Sequence, residues 1–238
     1  MSKNKLIINI VFLLVVILYI PNILQSFKEP LHSYVFSELN INYLAGFIRR
    51  GLLGEVSRIF LPIINNLYFF ASIFAILYFI HLILFFKLIN KFKNYLTIII
   101  FLALSPSLLM FPLTHPENYM RKDIFFIISI LSHSLFIYKS NLNSFSSENY
   151  FRFQKFYLIP FLFINILIHE AQIFFVSVHL LLSYSFYQKN LNQFYKSNFS
   201  KIYLVLLIPF FIVLLSPGNS VQIEQMKVYA SSVLNLNN

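Results

Sequence analysis

Long uninterrupted runs of apolar residues, each closed by a lysine or a short polar loop, constrain this chain more than any other feature. Leu6–Leu24, Asn66–Phe86 and Tyr95–Leu113 each approach the roughly 20 residues a helix needs to cross a bilayer core. The runs are continuous and do not alternate with period two, which excludes a membrane β-barrel. Of 238 residues, 58 % are hydrophobic and 11 % charged, whereas a soluble domain carries about 25 % charged residues. The sequence therefore predicts an all-α fold, a polytopic helical membrane protein with a single integral membrane domain of about 6–7 transmembrane segments.

The segments are expected at about 6–24, 66–86, 95–113, 124–138, 156–168, 171–187 and 202–216. A polar outer loop over 26–58 holds an amphipathic helix at about 43–58. Lys3 and Lys5 before the first run resemble the start of a signal peptide. The run is long for one, however, and no small-residue cleavage site follows, so an uncleaved first span is expected.

His169 and Glu170 interrupt the apolar stretch 156–187, and orientation decides between one helix and two. With the N-terminus inside, Lys87, Lys91, Lys93, Lys139, Arg152 and Lys155 are inside as well. A turn at His169-Glu170 keeps Lys189, Lys196 and Lys201 there too, as the positive-inside bias requires, and a single long helix would send them out. The turned version gives an inner (plasma) membrane protein with a cytoplasmic N-terminus and an extracytoplasmic C-terminus. The piece 156–168 then reaches only about 20 Å at about 1.5 Å per residue, as a re-entrant or sunken segment would. Every unusual polar cluster falls on the outer face.

The net charge of +10 comes from lysines placed singly or in loose clusters beside apolar runs, where they determine topology. No basic patch with interleaved aromatics is present, so nucleic acid is excluded as a partner. The absence of cysteine removes disulfides, thiolate metal sites and cysteine nucleophiles together.

Three clusters carry chemistry. In Asn42-Tyr-Leu-Ala-Gly-Phe-Ile-Arg-Arg-Gly-Leu-Leu-Gly-Glu55 lie three of the four glycines and, with Arg58 just beyond, three of the five arginines. Read as a helix capped by Asn42, it puts Gly46 and Gly54 on either side of Arg50, so the guanidinium stands on a bare stripe open to a bulky anion. Arg49 and Arg50 offer planar forks that match phosphate oxygens. An interfacial helix whose arginines reach lipid headgroups is the competing reading.

The second cluster, Thr114-His-Pro-Glu-Asn-Tyr-Met-Arg-Lys-Asp123, has capping-box spacing at Thr114 and Glu117. Glu117 and Arg121 form an i,i+4 pair. Either this is a well-started helix with surface anchors, or Arg121, Lys122 and Asp123 add to the site around Arg50. The third cluster is His169-Glu170. Intramembrane ionisable residues are costly and mostly functional, and Glu170 could pair with Arg50, Arg121 or Lys122, hold a cation or act as a base. His-Glu-x-x-His is not completed, so a zinc protease is not supported. The lone His81, His133 and His179 are expected to bond neighbouring helices, not metal. Glu29, Glu38 and Glu55 are the first-loop candidates for a general base, although Glu55 could simply pair with Arg58 or Arg49.

Taken together, Gly-Phe-Ile-Arg-Arg-Gly-Leu-Leu-Gly-Glu after a first span, Arg-Lys-Asp opening a later one, and His-Glu resemble bacterial inner-membrane proteins of surface-polysaccharide assembly. These are similar to GT-C type glycosyltransferases and polysaccharide polymerases. The resemblance covers about a tenth of the chain. It implies a polyprenyl-phosphate-linked sugar as substrate, membrane lipid as surroundings, and a catalytic acidic residue in the first outer loop. Glu38 is the first choice for that residue and Glu29 the second, with Arg49, Arg50, Arg121 and Lys122 facing the phosphate. Two features depart from the pattern: the loop lacks an Asp-containing motif, and the chain is short. No cofactor is expected, and nothing in the sequence supports a divalent metal. A transporter or flippase component for an anionic lipid or solute, and a non-catalytic subunit with a membrane-protein partner, are the alternatives.

Overall fold

The computed structural model describes residues 3–28, 33–44, 46–91, 119–142, 147–187 and 199–235, and all regular structure among them is helical. The segment expected at 95–113 lies outside the described residues, as do Glu29 and Glu117. In chain order the helices are α1 (Lys3–Ser26), α2 (Ser33–Leu39), α3 (Leu52–Phe60), α4 (Asn66–Ile89), α5 (Asp123–Leu142) and α6 (Ser147–Phe153). A π turn over Gln154–Leu158 joins α6 to α7 (Ile159–Ile168), and a 3-10 turn over Glu170–Phe175 leads into α8 (Val176–Tyr187). The chain closes with α9 (Phe199–Leu204), α10 (Leu207–Leu214) and α11 (Ser220–Asn235).

Among the described residues three helices are long and apolar enough to cross a membrane, at Leu6–Ser26, Asn66–Ile89 and Glu148–Ile168, and Glu170–Phe186 and Lys201–Leu214 are shorter apolar helices. The outer side of α1 exposes Leu6, Ile10, Leu13, Leu14, Ile17 and Leu18, and α4 exposes Ile76, Phe79 and Ile83. Contiguous apolar surface of that extent is foreign to a soluble monomer.

Side-chain pairs fix the directions of the helices. Phe12 meets Phe86, Tyr19 meets Tyr78 and Phe27 meets Tyr68, so α1 and α4 are antiparallel. Phe74 meets Phe125, and the Lys91 ammonium lies over the Tyr138 ring, so α4 and α5 are parallel. The end of α4 and the start of α5 thus lie at opposite ends of the bundle, the displacement that one crossing segment between them would make.

The stretch 156–187 folds back on itself. The Gln154 amide donates to the Ser183 hydroxyl at 2.8 Å, whereas a straight helix would separate these residues by about 43 Å at about 1.5 Å per residue. The reversal is at His169, whose φ of −156° and ψ of 110° end α7. Its Nδ1 accepts the Ala171 N–H at 3.3 Å, starting the 3-10 turn. The π turn before α7 has a local cause. Pro160 has no N–H and its ring would press on the carbonyl four residues back, so the helix widens by one residue and the Ile159 N–H bonds Gln154 O.

The main core joins α1, α2, α3, α4 and α5 through Tyr19, Phe36, Leu53, Phe70, Phe74 and Ile124, and a second core joins α7 and α8 to α9 and α10. Carboxylates gather at one end of the bundle. Of the carboxylates among the described residues, Glu38, Glu55, Asp123, Glu170 and Glu224 belong to elements at the end where α4 begins. At the opposite end are Lys87, Lys91, Lys139, Arg152, Lys155 and Lys201, with Glu148 held by Arg152.

Candidate functional site

At the carboxylate-rich end a cavity of about 240 Å³ is lined by Glu38, Arg50, Arg121, Lys122, Asp123 and His169 over a floor of Val35, Leu39 and Met120. Four remote parts of the chain deliver these groups: α2, the loop before α3, the start of α5 and the break after α7.

The loop differs from the helix expected over 43–58. The helix starts at Leu52, and the preceding residues turn instead. Asn42 Oδ1 accepts the Leu44 N–H at 2.9 Å and Glu55 Oε2 accepts the Tyr43 N–H at 3.0 Å, bonds that compete with helical ones. Gly46 takes a φ of 103°. Gly46 and Gly54 therefore do not flank Arg50 on a helical stripe. A Cβ on Gly54 would collide with the backbone of Ile41 and Leu39, so this glycine lets α3 pack directly against the end of α2. That end is fixed by an amide junction. Asn66 donates to Asn40 Oδ1 at 2.6 Å and accepts from the Ser57 hydroxyl at 2.9 Å, all three side chains being buried.

Arg50 sits in the left-handed region at φ 64°, a conformation costing on the order of 1–3 kcal/mol for a non-glycine residue. Its neighbours impose it: the Arg49 N–H donates to Ser216 O at 3.0 Å and the Gly51 N–H to Ile48 O at 3.3 Å. The guanidinium then forks onto Glu170, with Nε at 2.8 Å from Oε2 and Nη2 at 2.6 Å from Oε1, while Nη1 reaches Glu38 Oε1 at 3.2 Å. Arg50 therefore clamps two carboxylates, where the sequence suggested a fork open to phosphate.

Glu170 holds Arg50 without lining the cavity. Burial acts to raise its carboxyl, but the Arg50 fork outweighs burial and holds it down at about 2. Lys122, only 3 % exposed, stands 3.6 Å from Glu38 Oε1. Burial pushes its ammonium down to about 8, with Glu38 pulling upward and Arg50 downward. Burial and the Arg50 charge lower His169 from 6.5, so it is neutral at pH 7. Its Nδ1 accepts from Ala171, and the 3.8 Å approach to Glu170 is therefore not an ion pair. Arg121, 51 % exposed at the mouth, has its Nε on Asp123 at 2.9 Å.

Two candidates lie elsewhere. Arg49 is exposed and does not line the cavity. Glu55 bonds Arg58 through both oxygens and also takes the Tyr43 N–H, which staples the loop to α3. Its carboxyl is lowered chiefly by the Arg58 hydrogen bond. No group of three or more metal-ligating side chains occurs among the described residues. Sequence reasoning missed the Asn40–Asn66–Ser57 junction, since single polar residues bordering apolar runs carry no spacing signal.

Comparison of the chain with models of known protein families, with characterised proteins and with solved structures finds no match.

Proposed function

We propose that the chain is a polytopic inner-membrane protein of cell-envelope glycan assembly, crossing the bilayer about seven times with its basic end toward the cytoplasm. Its cavity then opens on the extracytoplasmic side and takes a polyprenyl-phosphate-linked sugar. One observation carries this reading: Glu38, Arg50, Lys122 and His169, remote in the chain, share a single cavity at the carboxylate-rich end of an apolar bundle. Lys122 and Arg121 hold the lipid phosphate, and Glu38 is the base. The acceptor hydroxyl gives its proton to Glu38 as its oxygen bonds the sugar. The bond from sugar to phosphate breaks with its electron pair going to the phosphate, whose charge the two cations stabilise. Glu170 and Arg50 position Glu38.

Glu38→Gln removes the base and leaves the side chain's shape. Glycan product is expected to fall by about a hundredfold or more at normal protein level, and unchanged product refutes the assignment. A second reading, a transport path for an anionic lipid or solute, is favoured by Arg50, Arg121 and Lys122 lining that cavity. It predicts substrate flux in proteoliposomes without a new glycosidic bond.

A further inference from the structure

The buried polar side chains between α5, α6, α8 and α9 form one continuous hydrogen-bonded chain. Ser129 Oγ lies 3.0 Å from His179 Nε2, and His179 Nδ1 lies 3.0 Å from His133 Nδ1. His133 Nε2 lies 2.6 Å from the Tyr150 hydroxyl, which lies 3.0 Å from Ser183 Oγ. Ser183 in turn meets the Tyr203 hydroxyl at 3.1 Å and the Gln154 amide at 2.8 Å. Ser129, His133, His179, Tyr150, Ser183 and Gln154 are fully or almost fully buried.

The residue types distinguish this chain from the amide junction at the other end of the bundle. There Asn40, Asn66 and Ser57 make bonds of fixed direction through amide groups, which suffices to join helices. Here every link from Ser129 through Tyr203 is a hydroxyl or an imidazole, a group that both donates and accepts. The Nδ1–Nδ1 contact holds one proton, on either ring. With the proton on His133, Tyr150 donates to His133 Nε2 and His179 donates to Ser129. With it on His179, each of these bonds reverses, the Ser129 hydroxyl turning from the Phe126 carbonyl, 2.7 Å away, to His179 Nε2. One set of heavy-atom positions thus satisfies two opposite polarities.

The ends of the chain lead onward. Ser129 is seven residues beyond Lys122, about 10 Å along a helix axis. Between that level and the cavity lie the buried acceptors Asn165 Oδ1 and Gln172 Oε1, which bond no described residue. Asn165 bonds Phe125 O, and Phe175, three residues past Gln172, stacks on Phe126. Both acceptors can hold water that continues the chain. At the other end the file reaches the Tyr203 hydroxyl, two residues from the exposed Lys201 of the basic end, while the Gln154 amide only donates to Ser183.

We propose that this side-chain file is a proton path connecting the cavity to the basic end of the bundle. A proton passed from Tyr150 to His133 Nε2 makes an imidazolium, Tyr150 regains a proton from Ser183, and Ser183 regains one from Tyr203, whose hydroxyl takes up the entering proton. His133 gives its Nδ1 proton to His179 and becomes neutral. His179 releases its Nε2 proton to Ser129, which gives one up toward the cavity. One proton enters and one leaves, only N–H and O–H bonds change, and turning of the hydroxyls and rings resets the file. The proposal is independent of the glycan reading, because it requires no sugar substrate.

The test uses the full chain in liposomes with a trapped pH dye and a potassium diffusion potential set by valinomycin. Wild type is expected to move protons at least tenfold faster than protein-free liposomes. Tyr150→Phe, which keeps the ring and removes the hydroxyl, and Ser129→Ala should each return the rate to the protein-free level. Ser57→Ala in the amide junction should not. A wild-type rate equal to that of protein-free liposomes overturns the proposal, and so does a Tyr150→Phe rate equal to wild type, the outcome a purely structural network gives.

Discussion

The Arg50–Glu170 pair provides the sharpest test of how the cavity is held. Glu170→Gln keeps the volume of the side chain and removes its charge. A carboxyl held at about 2 in place of 4.5 is worth about 3 kcal/mol, at about 1.4 kcal/mol per tenfold change in proton affinity. Both side chains are partly exposed, at 27 % and 20 %, so screening reduces the loss to about 2–3 kcal/mol. The folded carboxyl is the stronger acid, so the contribution is complete above about 4.5 and fades as pH falls toward about 2. Thermal unfolding in detergent at pH 7 should place Glu170→Gln several degrees below wild type. From pH 5 down to 2 the wild-type midpoint should converge on that of the variant. Equal midpoints at pH 7, or a gap as wide at pH 2 as at pH 7, would refute the clamp.

Other consequences are equally specific. Because Lys122 is depressed to about 8 from 10.5, the unfolded chain binds more protons between those values, and stability should rise with pH across them; Lys122→Met should flatten that rise, as read by unfolding midpoints from pH 7.5 to 10. Gly54→Ala drives a methyl group into the Ile41 and Leu39 backbone and should destabilise the fold by about 1–3 kcal/mol, whereas Ala at the exposed Gln225 should leave the midpoint within about 0.5 kcal/mol. With no native cysteine, Asn219→Cys should react with a membrane-impermeant thiol reagent on intact cells and Lys155→Cys should not; reaction at Lys155→Cys alone would reverse the orientation.

The helical character and the reversal at His169 were legible because both rest on strong one-dimensional signals. These are long apolar runs and an ionisable pair interrupting one of them, read together with lysine placement. The loop before α3 was not legible. Its apolar residues have helical spacing, yet Asn42, Glu55 and Gly46 offer the backbone competing bonds and a left-handed turn, and these win once Ser216 fixes Arg49. The choice of partner for Glu170 was open among three cations, and only the left-handed backbone of Arg50 aims that guanidinium at it. That His133 and His179 bond neighbouring helices was legible, but not that they meet each other and Tyr150. Tyr150 belongs to the polar segment Ser147–Phe153, and the adjacency depends on the way three helices rotate about their axes.

The charges around the cavity also bear on how its base would be activated. Glu38, Glu170 and Asp123 formally balance Arg50, Arg121 and Lys122, and His169 is neutral, so the empty set has no surplus of positive charge to trap an anion at long range. Discrimination must come from exchange of partners at short range. Lys122 is bonded to Glu38 both at the carboxylate, 3.6 Å away, and at the backbone carbonyl, 3.4 Å away. An arriving phosphate competes for that ammonium and offers stronger, charge-assisted bonds. Once Lys122 turns to the phosphate, Glu38 keeps the 3.2 Å bond to Arg50 and its carboxylate is uncovered on the side the ammonium had occupied. On the proposed reading, ligand binding thereby frees Glu38 to meet the acceptor hydroxyl at the moment a base is needed. Lys122→Gln should weaken phosphate-lipid binding and, because the ammonium also stabilises the charge of the departing phosphate, lower the rate at saturating substrate, whereas loss of an ordinary binding cation would raise KM alone.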